Sequence, residues 1–275
     1  MLGMIKSEIY KLFNKKSFYI CALVLMGLIG LSVLSYEKNY FGGLGISDTE
    51  GISLKQIGFT AWRAIRHGIG FEFITIMNSI FTSIFVCYEF SSGMNKNLVI
   101  RGKNKFIIYF SKMLVSMLVP VIYTLLSALT LYSISSHVWN AGNWEQSYVN
   151  SIVIPMGLFV LVQMAFQSIF VMFGYLFQSS VWVTATNFGL AFGIIPSLII
   201  AGISYILKNW FGFEESILNI VANVGKCWLG SVSGVYSYGY PLNEETTKIF
   251  SWLVSSYFVI PAIIGSIVFW KREIK

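Results

Sequence analysis

Long apolar runs alternate along this chain with short polar segments that are mostly cationic. A helix that crosses a bilayer needs about 20 largely apolar residues. Six runs meet that length, at 17–36, 68–88, 106–136, 148–177, 181–207 and 249–270. No charge interrupts any of them at mid-depth, and Lys112, one to two turns inside the third run, is expected to snorkel to its nearer end. The pattern therefore predicts an all-α membrane protein with six transmembrane helices in a single domain, 1–275. The first 16 residues read differently. Leu2, Ile5, Ile9, Leu12 and Phe13 recur at helical spacing, with Lys6, Glu8, Lys11, Lys15 and Lys16 mostly on other sides. That predicts an amphipathic helix lying in the interface, lysines toward anionic headgroups. A plain cationic flank to the first span is the alternative. A cleaved signal peptide is disfavoured, because the apolar core is long and no small-x-small site stands out near its end.

Composition sharpens this. Of 275 residues, 56 % are hydrophobic, 17 % aromatic and only 11 % charged, where a soluble domain carries about 25 % charged residues. Mean hydropathy is +0.70. Disorder is excluded by the same figures. The net charge of +7 would suggest nucleic acid in a soluble protein. Here the lysines and arginines report topology instead. Eleven lie in the N-terminal segment, in 89–105 and in the tail, against seven spread over the longer opposite loops, with Lys112 the nineteenth. The positive-inside rule places both termini and the 89–105 loop in the cytoplasm, and no nucleic-acid partner is implied. Glu8, Glu89 and Glu273 fall on that side too. Cys21, Cys87 and Cys227 form neither a disulfide framework nor a metal motif.

The outer loops carry local pattern. Residues 52–67 could form a short amphipathic helix that rests Ile52, Ile57, Phe59, Trp62 and Ile65 on the membrane, with Arg63 or Arg66 near Glu72. In 208–247, Ile217, Val221, Val224 and Trp228 fall at helical spacing before the stretch GSVSGVYSYGYP. A structureless loop of that length is unusual, so a short helix or re-entrant element is expected, packed on protein. Pro120, Pro155, Pro196 and Pro261 fall within runs and are expected to kink them. Gly189 and Gly193 have GxxxG spacing, which suits either dimerisation or a tight internal helix pair.

Catalytic chemistry is missing. The chain has no phosphate loop and no HExxH motif. Glu214-Glu215 and Glu244-Glu245 resemble the paired glutamates of intramembrane CAAX-type proteases, but neither pair has the arginine or the later histidines those enzymes need. An ion-coupled carrier would place an ionisable group within a span. The polar residues here are neutral: Asn78, Gln163, Gln167 and Asn187. They could line a substrate path or bond between helices.

The loop between the second and third runs reads YEFSSGMNKNLVIRGKNKFIIYFSKML. An acidic residue, small residues, a glycine and a short amphipathic helix in that order resemble the permease subunits of ABC type-2 exporters. The start KSEIYKLFNKKSFYI and the end FWKREIK are similar to the corresponding parts of that family, and the resemblance covers nearly the whole chain. It implies a permease without catalysis of its own. Glu89, Phe90, Ser91, Ser92, Gly93, Met94, Lys96 and Asn97 would form the coupling loop that docks on a separate ABC ATP-binding subunit. ATP and Mg would be held by that subunit, with no cofactor on this chain. It also implies a second permease subunit, identical or not, membrane lipids as surroundings, and the bacterial cytoplasmic membrane as location. The length and the KSEIYKLF start look like bacitracin- and lantibiotic-type systems, which implies export of a hydrophobic or antimicrobial peptide. A peptide-binding immunity or sensing module without transport is the alternative. An ion-coupled carrier is a weaker one.

Overall fold

A computed structural model of the chain describes residues 2–37, 59–143, 149–209 and 244–271. Among these every regular element is a helix: α1 (Leu2–Asn14), α2 (Lys16–Glu37), α3 (Ala61–Arg66), α4 (Glu72–Ser91), α5 (Met94–Ile100), α6 (Lys105–Ser116), α7 (Leu118–Val138), α8 (Ile154–Phe177), α9 (Ser180–Ala191), α10 (Ile194–Asn209) and α11 (Glu244–Lys271). A π-helical turn, Val149–Val153, leads into α8. Five stretches are long and apolar enough to cross a membrane: Lys16–Ser35, Glu72–Ser91, Lys105–Val138, Ser151–Phe177 and Trp252–Lys271. The pair α9 and α10, bent by 72°, meets the same test only when taken together and makes a sixth if it is one broken span. Residues 210–243 of the expected re-entrant segment at 208–247, the aromatic stretch within it and the tail after Lys271 lie outside the described residues.

The prolines explain where the long runs break. Proline has no N–H to give to the carbonyl four residues back. For Pro120 that carbonyl is on Ser116, the last residue of α6. For Pro196 it is on Phe192, the C-cap of α9. For Pro155 it is on Ser151, inside the π-helical turn. These three prolines therefore sit in the first turns of α7, α10 and α8, where a missing donor costs nothing. The third and fourth runs stay continuous stretches interrupted at Pro120 and Pro155, and the fifth goes further than a kink, into two helices bent by 72°. Pro261 alone lies inside its helix, α11.

The bundle core joins α2, α4 and α7 around Leu25, Ile29, Ile74, Phe81 and Tyr123. A second cluster joins α4, α6, α8 and α11 around Val86, Tyr109, Tyr175 and Phe269. Two glycines set the closest approaches. A Cβ on Gly174 would lie 2.6 Å from Val86 Cγ1, and one on Gly265 would overlap the Tyr109 hydroxyl, which itself donates to the Pro261 carbonyl at 3.3 Å.

Phe59, Trp62 and Ile65 pack against protein. Phe59 packs edge-on to Trp139, Trp62 lies 4.8 Å from Tyr132, and Ile65 is buried. Neither Arg63 nor Arg66 forms an ion pair with Glu72 among the described residues. His67 stacks on Phe59 at 5.9 Å. Burial, reinforced by Arg66 and Arg63, holds its imidazole below the ordinary value of 6.5. The unfolded chain therefore binds the proton more readily, and this contribution to stability is present above pH 6.5 and lost as pH falls through the lower folded value. Unfolding midpoints measured from pH 7.5 down to 5 should fall for the native chain and fall less for His67→Gln; equal slopes would place His67 in water.

Candidate functional site

The site is built where α4 ends and α5 begins. Ser92 caps α4, and Gly93 follows in the left-handed region at φ +67°, a conformation that glycine adopts without strain. α5 then runs seven residues and closes through Gly102, φ +75°. The Gly102 N–H donates to Val99 O at 3.0 Å and the Lys103 N–H to Leu98 O at 3.1 Å, a Schellman closure. Asn104 caps α6 by accepting from the Phe106 N–H. A short helix is thus fixed at both ends to two spans. Leu98 and Val99 anchor it against the α4–α6–α8–α11 cluster. Ser91, Ser92, Lys96, Asn97, Ile100, Arg101 and Lys103 face outward, and Ile100 is 72 % exposed.

Glu89 does not stay local to the loop. Its carboxylate pairs with Lys112 on α6 at 2.8 Å and accepts from Lys11 on α1 at 3.0 Å. Lys112 also donates to Glu8 at 2.9 Å, and Lys11 pairs with Glu8. Glu8, Glu89 and Lys112 are at most 3 % exposed. Two carboxylates and two ammonium groups neutralise one another inside protein, as buried charges must. Lys112 also lies 3.5 Å over the Phe85 ring. The snorkelling expected of Lys112 is corrected, because water is not reached and the partners are intramolecular. Lys11 likewise turns inward rather than toward headgroups. Burial alone would lower its affinity for a proton, but Glu89 and Glu8 outweigh it and hold the ammonium above the ordinary value. Sequence reading kept Glu8 and Lys112 apart. The available signal was Lys112 itself, an ionisable residue inside an apolar run, which by default demands a named partner.

The remaining loop residues divide by direction. Phe90 turns into the bundle, edge-on to Tyr175 at 5.2 Å and to Phe269 at 6.4 Å. Met94 is partly buried. Asn95 is buried, with no hydrogen-bond partner for either end of its amide among the described residues.

The four neutral polar residues are all fully buried. Gln163 donates to Thr75 Oγ1 at 2.7 Å, Gln167 donates to Thr82 Oγ1, and Asn187 donates to Ser83 Oγ at 3.0 Å and to Phe170 O at 3.3 Å. These bonds tie α8 and α9 to α4. Asn78 has no partner at either end among the described residues. Gly189 packs against Ile195 beyond the bend, while Gly193, φ +71°, forms the bend and has open space beside it. The two glycines thus lie either side of the end of α9, not on one continuous helix face. Among the described residues no three His, Cys, Asp or Glu side chains converge as for a metal ion.

A family model described as ABC-2 family transporter protein matches residues 4–195, well over half of the chain. The match runs from α1 into α10 and contains both the α5 segment and the buried charges. No curated protein matches the chain.

Proposed function

The chain belongs to the ABC-2 family of transporter proteins, a multi-pass membrane component of a transporter, and from that premise we propose that it is the permease subunit of an ATP-driven exporter. α5 is its coupling helix. The observation that carries this is the framing of α5: two left-handed glycines, an apolar anchor, and a buried ion network that starts at Glu89 and reaches α1 and α6. A push on α5 passes directly to three helices rather than being absorbed by a slack loop. Both termini and α5 face the cytoplasm. The docking surface is the outward set Ser91, Ser92, Lys96, Asn97 and Ile100, with Phe90 serving the permease's own core. Glu89, Gly93 and Met94 position that surface.

ATP and Mg belong to the partner ATP-binding subunits, and a second permease subunit completes the pathway. The cargo is a hydrophobic or antimicrobial peptide, in keeping with the resemblance to bacitracin- and lantibiotic-type systems, and the membrane is the bacterial cytoplasmic one. Of the polar set, Asn78 supplies hydrophilic surface to the path, while Gln163, Gln167 and Asn187 stay engaged between helices.

The test is co-purification of the chain with an ATP-binding subunit in lipid nanodiscs. Ile100→Asp and Lys96→Glu alter exposed side chains and leave the fold intact. Each should weaken the complex by at least about tenfold, ~1.4 kcal/mol, while the melting temperature of the permease stays unchanged. If no ATP-binding subunit associates in any lipid or nucleotide condition, the exporter reading fails. If association survives both substitutions, α5 is not the docking element.

A further inference from the structure

A cavity of about 270 Å³ opens between α1 and the end of α4, lined among others by Tyr10, Lys11, Asn14, Lys15, Tyr88 and Met94. Its charges do not balance. Lys11, Lys15 and Lys112 line it, and the carboxylates that face them are Glu89 and, behind it, Glu8. Glu8 and Glu89 are engaged by Lys11 and Lys112. Lys15 has no carboxylate within 4 Å among the described residues; its ammonium lies 2.8 Å from the centre of the Tyr88 ring. Burial, then the nearby Lys112, holds Lys15 below its ordinary value against the opposing pull of Glu89. One positive charge is left over in a half-enclosed space, which is the condition an anion relieves.

The depth of the cavity identifies the anion. The first apolar span begins at Lys16 and the second ends at Ser91. Lys15 and Tyr88 therefore lie at the edge of the apolar slab, where phosphates sit and where tyrosine and lysine anchor. α1 exposes Leu2, Tyr10 and Phe13 alongside, so the approach is along the membrane surface. The aromatic and methionine walls suit the glycerol and first chain carbons below a phosphate.

We propose that this cavity is a binding site for the headgroup of an anionic phospholipid, with Lys15 holding the phosphate. The chemistry shared with free phosphate is the phosphate anion, and the source is the bilayer. Because Met94 opens α5, the bound lipid touches the first residue of that helix. The inference needs only that the chain is embedded in a membrane, so it stands or falls separately from ATPase docking.

Native mass spectrometry of the full chain tests it, with phosphatidylglycerol, phosphatidylcholine and inorganic phosphate as probes. Phosphatidylglycerol should stay bound in preference to phosphatidylcholine. Lys15→Gln should reduce its retention about five-fold, the contribution of one lysine facing an anionic surface. Lys6→Gln, at an exposed α1 position outside the cavity, should have no such effect. Asn14→Trp fills the mouth without touching a lysine and should also reduce retention; a melting curve for each variant confirms folding. Equal retention of the two lipids, or equal effects of Lys15→Gln and Lys6→Gln, would overturn the site. Displacement of the lipid by millimolar phosphate would overturn the lipid assignment in favour of a free-phosphate site.

Discussion

Replacing Lys112 with methionine should destabilise the folded chain by about 3–5 kcal/mol, the usual cost of leaving a buried charge without its partner. Lys112 is 1 % exposed and holds both Glu8 and Glu89. Without it, two buried carboxylates share Lys11, which is itself partly open to water. The second substitution decides what is being measured. Lys112→Met with Glu89→Gln removes one charge of each sign and leaves the Glu8–Lys11 pair intact. A buried ion pair replaced by neutral groups of similar volume is often close to neutral in stability. The double variant should therefore recover most of the loss, a strong coupling between contacting residues. The measurement is denaturant or thermal unfolding of the full chain in micelles. Wild-type stability for Lys112→Met alone would mean that the lysine reaches water and that the network does not exist.

The second large effect is steric. Gly174 is where α8 crosses α4, and an added Cβ would meet Val86 Cγ1 at 2.6 Å and Val86 Cβ at 3.1 Å. Gly174 and Val86 are both fully inside the bundle. Gly174→Ala should therefore cost about 1–3 kcal/mol as overpacking, despite the better helix propensity of alanine. Val86→Ala removes the two methyl groups on the other side of the contact. Combining the two should restore much of the stability lost to the methyl at Gly174. Unfolding midpoints of the two single variants and the double variant check it; strict additivity would show that α4 and α8 do not approach closely at this point.

The apolar runs and the helical amphipathic start carried the all-helical, multi-pass architecture, because apolar length is a local property of sequence. Breaks in the runs were only half legible. Pro120, Pro155 and Pro196 were noticed, and the carbonyl four residues before each proline marks the place of the break, but the 72° turn between α9 and α10 was not legible. The charge network was the least legible part. Glu8, Lys11, Glu89 and Lys112 belong to three helices separated by as many as 104 residues, and no spacing rule links residues so far apart. Phe90 shows the same limit: its place in the motif suggested an outward role, and only the positions of Tyr175 and Phe269 turn it inward.

The three amide–hydroxyl bonds from α8 and α9 to α4 bear on how such a protein can move. Gln163, Gln167 and Asn187 reach Thr75, Thr82 and Ser83, so rotation of α4 about its own axis would unseat all three rungs together in a medium with no water to replace them. α4, α8 and α9 are therefore expected to move as one block, with any rocking delivered at the joints that lack such rungs. The glycine elbow after α9 is one such joint.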